Sequence, residues 1–536
     1  MLTKRNTKIL TGSKVIIETL KSLGTDTIFG YPGGIVLGLY DELYKQSHIK
    51  HILVRHEQSA VHCAEGYARV TGKCGVVLVT SGPGATNTVT GIVNAYLDGS
   101  PLVVLTGQVS EDLIGTDAFQ EANICDITKS CTKAAFQITS AKNIQEILIE
   151  AFNIANSGKK GPVVVDMSKN IFSESAEFRE VNFTNAVKTC KIDYSKILKR
   201  LLSSSKPVIV TGGGVTHSGA DLYSAIKNFD IPVVSTMMGL GTYPQNDKNY
   251  FGMIGIFGDK SANEILKKSD LIISLGARFN DRITCMFDKS ELESKFIQID
   301  INEKEIARVL KPVEFLVCDI KDFINELSSV KINFSNWADS VQSLKDLNIK
   351  RKKTTNLLHS FEVIRKIEEF TKNKDIIFTS EVGQHQLWAV QNLTFNKERR
   401  ILVSGGSGTM GFGFPSAIGA CIASPEKTVV CITGDGSLQM SLGELSLCRD
   451  YNLNLKIIIL NNGYLGMVRQ LQQKNCDGRY SQTKISNPDF VHLAQSYGLK
   501  ALKVNNMNEI DSALKQAFLT KETFIIDFHV EPMEVL

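Results

Sequence analysis

Short runs of β-branched and aliphatic residues, each ending at or beside a Gly, Ser, Asp or Asn, recur along the whole chain. They fall at 75–80 (GVVLVT), 102–106, 163–166, 208–211, 271–275, 296–300, 428–433 and 456–461, with amphipathic segments such as 12–23 and 59–71 between them. A strand reached again by way of a helix pairs parallel to its predecessor, and a parallel sheet has to be covered on both faces. The alternation therefore predicts an α/β chain of doubly wound parallel sheets, with ligands at the carboxyl ends of the strands, where the glycines and polar residues fall. At 536 residues there is room for about three domains of roughly 150 residues each. Two polar stretches interrupt the pattern. Residues 173–193 show neither strand nor helix period, and 331–360 contains NIKRKKTTN. The expected domains are thus 1–175, 190–330 and 360–536.

Charge excludes some functions. Sixty Lys and Arg stand against 56 Asp and Glu, with no dense basic stripe, so neither nucleic acid nor a membrane surface is an expected partner. The short basic run 350–353 reads as a solvated linker. No apolar stretch approaches the ~20 residues that span a bilayer, and no signal-like apolar segment opens the chain. Eleven cysteines occur without a CxxC pair, several inside apolar runs such as VVCI at 429–432, which suits buried thiols in a reducing compartment. The expectation is a soluble intracellular protein, cytoplasmic in a bacterium or stromal in a plastid.

Four groups of residues carry chemistry. Gly434-Asp435-Gly436-Ser437 ends one strand and Asn461-Asn462 the next. Glycines there let the backbone approach a phosphate, and Asp with Asn suits a hard, oxygen-liking cation such as Mg²⁺. Arg55-His56-Glu57-Gln58 places a carboxyl group near another strand end. Thr80 to Asn87 (TSGPGATN) is a glycine-rich turn closing the strand GVVLVT. Finally, Val382-Gly383-Gln384-His385 and Gly405 to Gly413 (GGSGTMGFG) form loops whose N–H groups could cradle a diphosphate or simply pack helix on sheet. In the middle third, Gly212-Gly213-Gly214 alone is weak evidence for a nucleotide.

Taken together, GDGS followed by NN at this spacing resembles the thiamine-diphosphate (ThDP) motif, and the series over residues 11 to about 531 is similar to the catalytic subunits of the acetolactate synthase family. That resemblance implies ThDP, Mg²⁺ and an FAD without net redox role. It implies decarboxylation of pyruvate and ligation of the two-carbon unit to pyruvate or 2-ketobutyrate, in a homodimer or higher oligomer that can pair with a small regulatory subunit. By the same resemblance Asp435, Asn462 and the main-chain oxygen of Tyr464 bind the metal, and Glu57 is the carboxyl group against the aminopyrimidine, where burial would raise its proton affinity. Gly34, Phe119, Gln120 and Lys169 line the active site. Gln384, His385, Gly408, Met410, Gly436, Ser437 and Met467 surround ThDP. Lys159, Gly213, Thr236, Met237, Gly276, Arg278, Asp300, Ile301 and Asp319 would hold the flavin. The chain departs from the family pattern at Lys159 (usually Arg), Phe257 (His), Glu381 (Asp), and at Ile35, Ser110 and Leu471, which replace an Ala, a Pro and a Trp of the substrate channel. A flavin-free catabolic acetolactate synthase, a pyruvate oxidase and a silent scaffold subunit are the alternatives. The joint presence of Glu57, Asp435 and Asn462 argues against the last.

Overall fold

The structure is a computed structural model that describes residues 7–180, 192–348, 353 and 355–536. It holds three six-stranded sheets, all parallel. The first takes, in chain order, Thr27–Tyr31, Lys50–Leu53, Gly75–Val79, Leu102–Gln108, Ala134–Ile138 and Pro162–Ser168. The third takes Ile376–Ser380, Arg400–Val403, Thr428–Gly434, Leu455–Asn461, Lys500–Val504 and Phe524–His529. Both sheets have the spatial order 2-1-3-4-6-5 when strands are numbered within the sheet. The middle sheet runs Pro207–Thr211, Val233–Ser235, Tyr250–Met253, Leu271–Leu275, Phe296–Asp300 and Glu314–Val317, in the order 3-2-1-4-5-6 of dinucleotide-binding folds. In each sheet the order reverses beside its first strand. The crevice where a ligand is expected therefore opens between strands 1 and 3 of the flanking sheets and between strands 1 and 4 of the middle one.

Continuous apolar runs became central strands because they are buried on both faces; Leu102–Gln108, Pro162–Ser168 and Leu455–Asn461 are buried at every position. The flanking bodies share one core, which joins Phe29, Ala60 and Cys63 to Ile377, Phe414 and Ala417. Its axis is a helix crossing. Helix Glu57–Thr71 lies so close to helix Gly413–Ala423 that a Cβ at Gly66 would stand 2.2 Å from the Ser416 carbonyl, and one at Gly419 would stand 1.9 Å from that of Cys63.

Two expectations need correction. Residues 173–193, read as lacking a strand, contain Ser175–Phe178, which pairs antiparallel with Lys8–Thr11. Its alternating exposure on a two-stranded ribbon gives little hydrophobic signal. The second stretch, 331–360, read as polar, also holds apolar residues of the core. Helical turns at Ser335–Ser340 and Gln342–Leu347 press Trp337, Val341 and Leu344 into the middle core, and the Trp337 indole donates to the Pro207 carbonyl at 3.1 Å. Residues 350–352 of the basic run, residues 181–191 and Cys190 among them, lie outside the described residues.

Candidate active site

The switch point of the third sheet lies between the ends of Ile376–Ser380 and Thr428–Gly434. Asp435 opens a short helix there and is 2 % exposed. Burial raises its proton affinity, opposed by hydrogen bonds to one carboxylate oxygen from Asn487 (2.7 Å) and the Gly463 N–H (2.9 Å). Asn487 also donates to Asn461 at 2.9 Å, so the two strand ends are tied together. Asn462 and Tyr464 follow in the same turn, where the Tyr464 N–H donates to the Asn462 side-chain oxygen at 2.9 Å. Among the described residues no group of three or more His, Cys, Asp and Glu could hold a metal. Asp435, Asn462 and the Tyr464 carbonyl bring one carboxylate and two neutral oxygens. That set suits a hard cation whose remaining oxygens come from a diphosphate.

Glu381 and His385 close the other side. Glu381 is fully buried, lies 3.1 Å from His385 Nε2, and accepts from Thr433 (2.6 Å) and the Gly413 N–H (2.7 Å). Gly413 is required, since a Cβ there would meet the Glu381 carboxylate at 2.0 Å. The longer residue at 381 is therefore accommodated by the missing side chain opposite. Gln384 is buried and donates to Gln470 (2.7 Å) and the Glu534 carbonyl (3.0 Å). Ser437 is buried, while Gly436 and Met410 are half-buried beside the same turn.

At the first sheet's switch point the chemistry is more open. Glu57 is the first residue of its helix, and its carboxylate accepts from Asn87 at 3.0 Å. The RHEQ and TSGPGATN segments thus meet. Glu57 is half-buried, not buried as expected. Gly34 and Lys169 are exposed, Gln120 is half-buried, and Phe119 is 87 % exposed. All four sit at the carboxyl end of this sheet. Gln120 rests on Gly82 (φ +57°), where a Cβ would stand 2.8 Å from its carbonyl. Glu121 ties the loop back on itself by accepting from the Gly115 N–H at 2.5 Å and that of Ala118 at 3.1 Å. Ile35 and Ser110 also belong to this end of the sheet, where Ile35 packs on Gly107.

The middle sheet's switch point opens into a cavity of about 540 Å³, within the several-hundred-Å³ range of ligand sites. Every residue expected for the flavin lines it: Lys159, Gly213, Thr236, Met237, Gly276, Arg278, Asp300, Ile301 and Asp319. Gly408, Met467, Phe257 and Leu471 line it too, the last 47 % exposed. Gly212 and Gly214 fit against Gly276 (φ +56°) with no room for side chains; a Cβ at Gly212 would meet the Gly276 carbonyl at 2.2 Å and one at Gly214 the Gly276 Cα at 2.7 Å. Asp300 closes its strand as a buried acceptor. Lys159 reaches Glu305 at 3.6 Å, and burial lowers its proton affinity.

Several residues of these sites carry no motif. Asn487 ties Asp435 from a loop 52 residues on, and Asp98 holds the loop of Gly405 and Gly406 by accepting their N–H groups at 3.1 and 2.7 Å. Only Asn87 stood inside a quoted motif, and only its contact with Glu57 reveals its part.

Among the described residues no hydrogen bond or ion pair joins Glu57 or Asn87 to Asp435, Asn461, Asn462 or Asn487. A carboxylate at the end of one sheet and a cluster of oxygen donors at the end of its twin, flanking a dinucleotide-type sheet, match one class: the thiamine pyrophosphate enzymes. Their N-terminal TPP binding domain matches residues 10–128, their central domain 194–327 and their C-terminal TPP binding domain 381–528. The chain is 40% identical to the acetolactate synthase large subunit of Haemophilus influenzae, over 98% of this chain and 96% of that protein. It is 41% identical to that of Lactococcus lactis, over 95% and 90%, and 39% identical to the isozyme 3 large subunit of Escherichia coli, over 95% and 92%. It belongs to the acetolactate synthase large subunit family. No helix among the described residues is long and apolar enough to cross a membrane.

Proposed function

We propose that the chain catalyses acetolactate synthesis, decarboxylating pyruvate and joining the two-carbon unit to a second pyruvate or to 2-ketobutyrate. The observation that carries this reading is the twinned pair of flanking sheets, with Glu57 at one switch point and Asp435 at the other. ThDP, when bound, supplies a nucleophilic carbon and an electron sink for loss of CO₂. Asp435, Asn462 and Tyr464 would hold its diphosphate through Mg²⁺. Gln384, His385, Gly408, Gly436 and Ser437 would line the diphosphate, and Met410 and Met467 would support its rings. Glu57 would take its place against the aminopyrimidine and hold the proton that activation requires. Phe119, Gln120, Gly34 and Lys169 would face the keto acids and shield the reacting carbon from water.

Glu57 and Asp435 have separate partner sets within one chain, and Glu57 is only half-buried. A homodimer in which each site takes Glu57 from one copy and Asp435 from the other would complete both. The central cavity fits FAD, since its glycines admit a backbone-close phosphate and Asp300 offers an acceptor to a ribose hydroxyl. The name "large subunit" among the relatives supports pairing with a smaller regulatory chain. The test is purified protein with pyruvate. Acetolactate should form only when ThDP and Mg²⁺ are present, with bound flavin in the spectrum and no oxygen uptake. Oxygen consumption or acetaldehyde without acetolactate would refute the reading.

A further inference from the structure

Helix Glu57–Thr71 starts in an unusual way. Its N-cap residue is His56, whose ring Nδ1 accepts from the Gln58 N–H at 3.1 Å. In a capping box, the third helical residue is Glu or Gln and reaches back to the N–H of the cap. Here that residue is Ser59, too short to do so. The missing carboxylate comes from the other flanking body. Glu444 is 1 % exposed, and both of its oxygens lie 3.1 Å from the Arg55 N–H. The same carboxylate accepts from the His56 N–H and the Ser59 hydroxyl.

Three neighbouring contacts fasten the same stretch of chain. A Cβ at Gly443 would stand 3.3 Å from the Arg55 Cβ, the Arg55 guanidinium reaches Asp450 at 2.8 Å, and the Tyr451 hydroxyl accepts from the Leu53 N–H at 2.8 Å. Glu444 ends the 3₁₀ turn Leu442–Glu444, which follows the short helix opened by Asp435. Its burial is costly: desolvation pushes its proton affinity up to about 7, against the bonds from Arg55, His56 and Ser59. A carboxylate kept in so dry a place, aimed at the two peptide groups just before Glu57, has a directional purpose. Among the described residues the Glu57 carboxylate has one hydrogen-bond partner, Asn87. The path of the backbone at residues 55–57 therefore decides where its carboxylate points.

We infer that Glu444 is a positioning residue for Glu57, acting from the diphosphate-side body as the external cap of the helix that Glu57 begins. This rests on the reading of Glu57 as the group that activates ThDP.

The test compares Glu444→Ala, Glu444→Gln and Glu57→Gln in the full-length protein, measuring ThDP affinity by titration and C2–H/D exchange of bound ThDP by NMR. A misplacement of ~1 Å can cost about 10²-fold in rate, so exchange in Glu444→Ala should slow by at least about tenfold while ThDP affinity stays within about threefold. Glu444→Gln keeps an acceptor oxygen at the same reach and should recover most of the exchange rate. Should Glu444→Ala fail to fold, Glu444→Asp, which withdraws the carboxylate by one methylene, is read the same way. Exchange at the unaltered rate in the folded Ala or Asp variant, with Glu57→Gln slow, would overturn the positioning role and leave the reading of Glu57 intact. Unaltered exchange in Glu57→Gln would instead remove the reading on which it rests.

Discussion

The two flanking sheets share a strand order, yet their switch points are built differently. Around Asp435 the polar groups are buried or half-buried and already bonded to one another: Asn487 and Gly463 to Asp435, Thr433 and the Gly413 N–H to Glu381. Around Glu57 the groups are open, with Phe119, Gly34 and Lys169 facing outward. One end is organised in advance for a strongly charged group, whose desolvation demands fixed dipoles. The other is more exposed and, on the function proposed above, would receive neutral rings and small keto acids under cover from a second chain. The same topology thus supports two kinds of recognition, and the side chains at the strand ends decide which.

The largest expected effect follows from the organised end. Asp435→Ala removes the one carboxylate among the three groups proposed to hold the metal. Activity should fall by about 10³-fold or more, with little restored by excess Mg²⁺ and ThDP. Metal analysis showing one Mg²⁺ per ThDP in the folded variant would break the contrast. The shared core gives the next effect. Gly419→Ala drives a methyl group into the Cys63 carbonyl, 1.9 Å from its Cβ position, and overpacking of this kind costs about 1–3 kcal/mol. Denaturant unfolding should show that loss, and unchanged stability would mean that the two helices are free to separate.

The open end should respond in KM more than in kcat. Glu121→Ala frees the loop of Phe119 and Gln120, and the KM for pyruvate is expected to rise about tenfold, the scale of lost pre-organisation. An unchanged KM would show that the loop is held by other means. In the parent protein the Gly115 N–H, with those of Ala118, Thr116 and Asp117, holds Glu121 below the ordinary carboxylate range. A depressed proton affinity in the folded state contributes stability that is present above about pH 4.5 and lost as pH falls through the lower folded value. The KM contribution of the loop should accordingly stay flat from about pH 8 to 5. The smallest effect is on specificity. Leu471 lies on the cavity wall at 47 % exposure. Leu471→Trp adds an aromatic face, and since one methylene is worth about 1–3 kcal/mol, the product ratio should move several-fold toward the 2-ketobutyrate adduct. A competition assay with both keto acids reads this directly, and an unmoved ratio would place the acceptor elsewhere.

What could be read from the chain before its structure follows a physical pattern. Central strands such as 102–108 and 455–461 announced themselves because both faces are buried. Edge strands did not. Glu314–Val317 and Lys500–Val504 are half-exposed, and Ser175–Phe178 exists only because Lys8–Thr11 lies beside it. Likewise Glu57, Asp435 and Asn462 were legible because backbone glycines and strand ends surround them in sequence. Glu444, Asn487 and Asp98 were not, because each acquires its role from a partner at least 52 positions away: the Arg55 N–H, the Asp435 carboxylate and the 405–406 loop. No local pattern separates such residues from surface carboxylates and amides.

The claim that the two unlike ends serve one reaction centre from different chains is open to a direct test. Glu57→Gln and Asp435→Ala proteins, each inactive alone, are unfolded, mixed in equal amounts and refolded together. If each site draws Glu57 from one copy and Asp435 from the other, every mixed dimer carries one intact site, and acetolactate formation should return to about a quarter of the parent level at random pairing. If both groups served a site within a single chain, no intact site could form, and a mixture as inactive as its parts would contradict the claim.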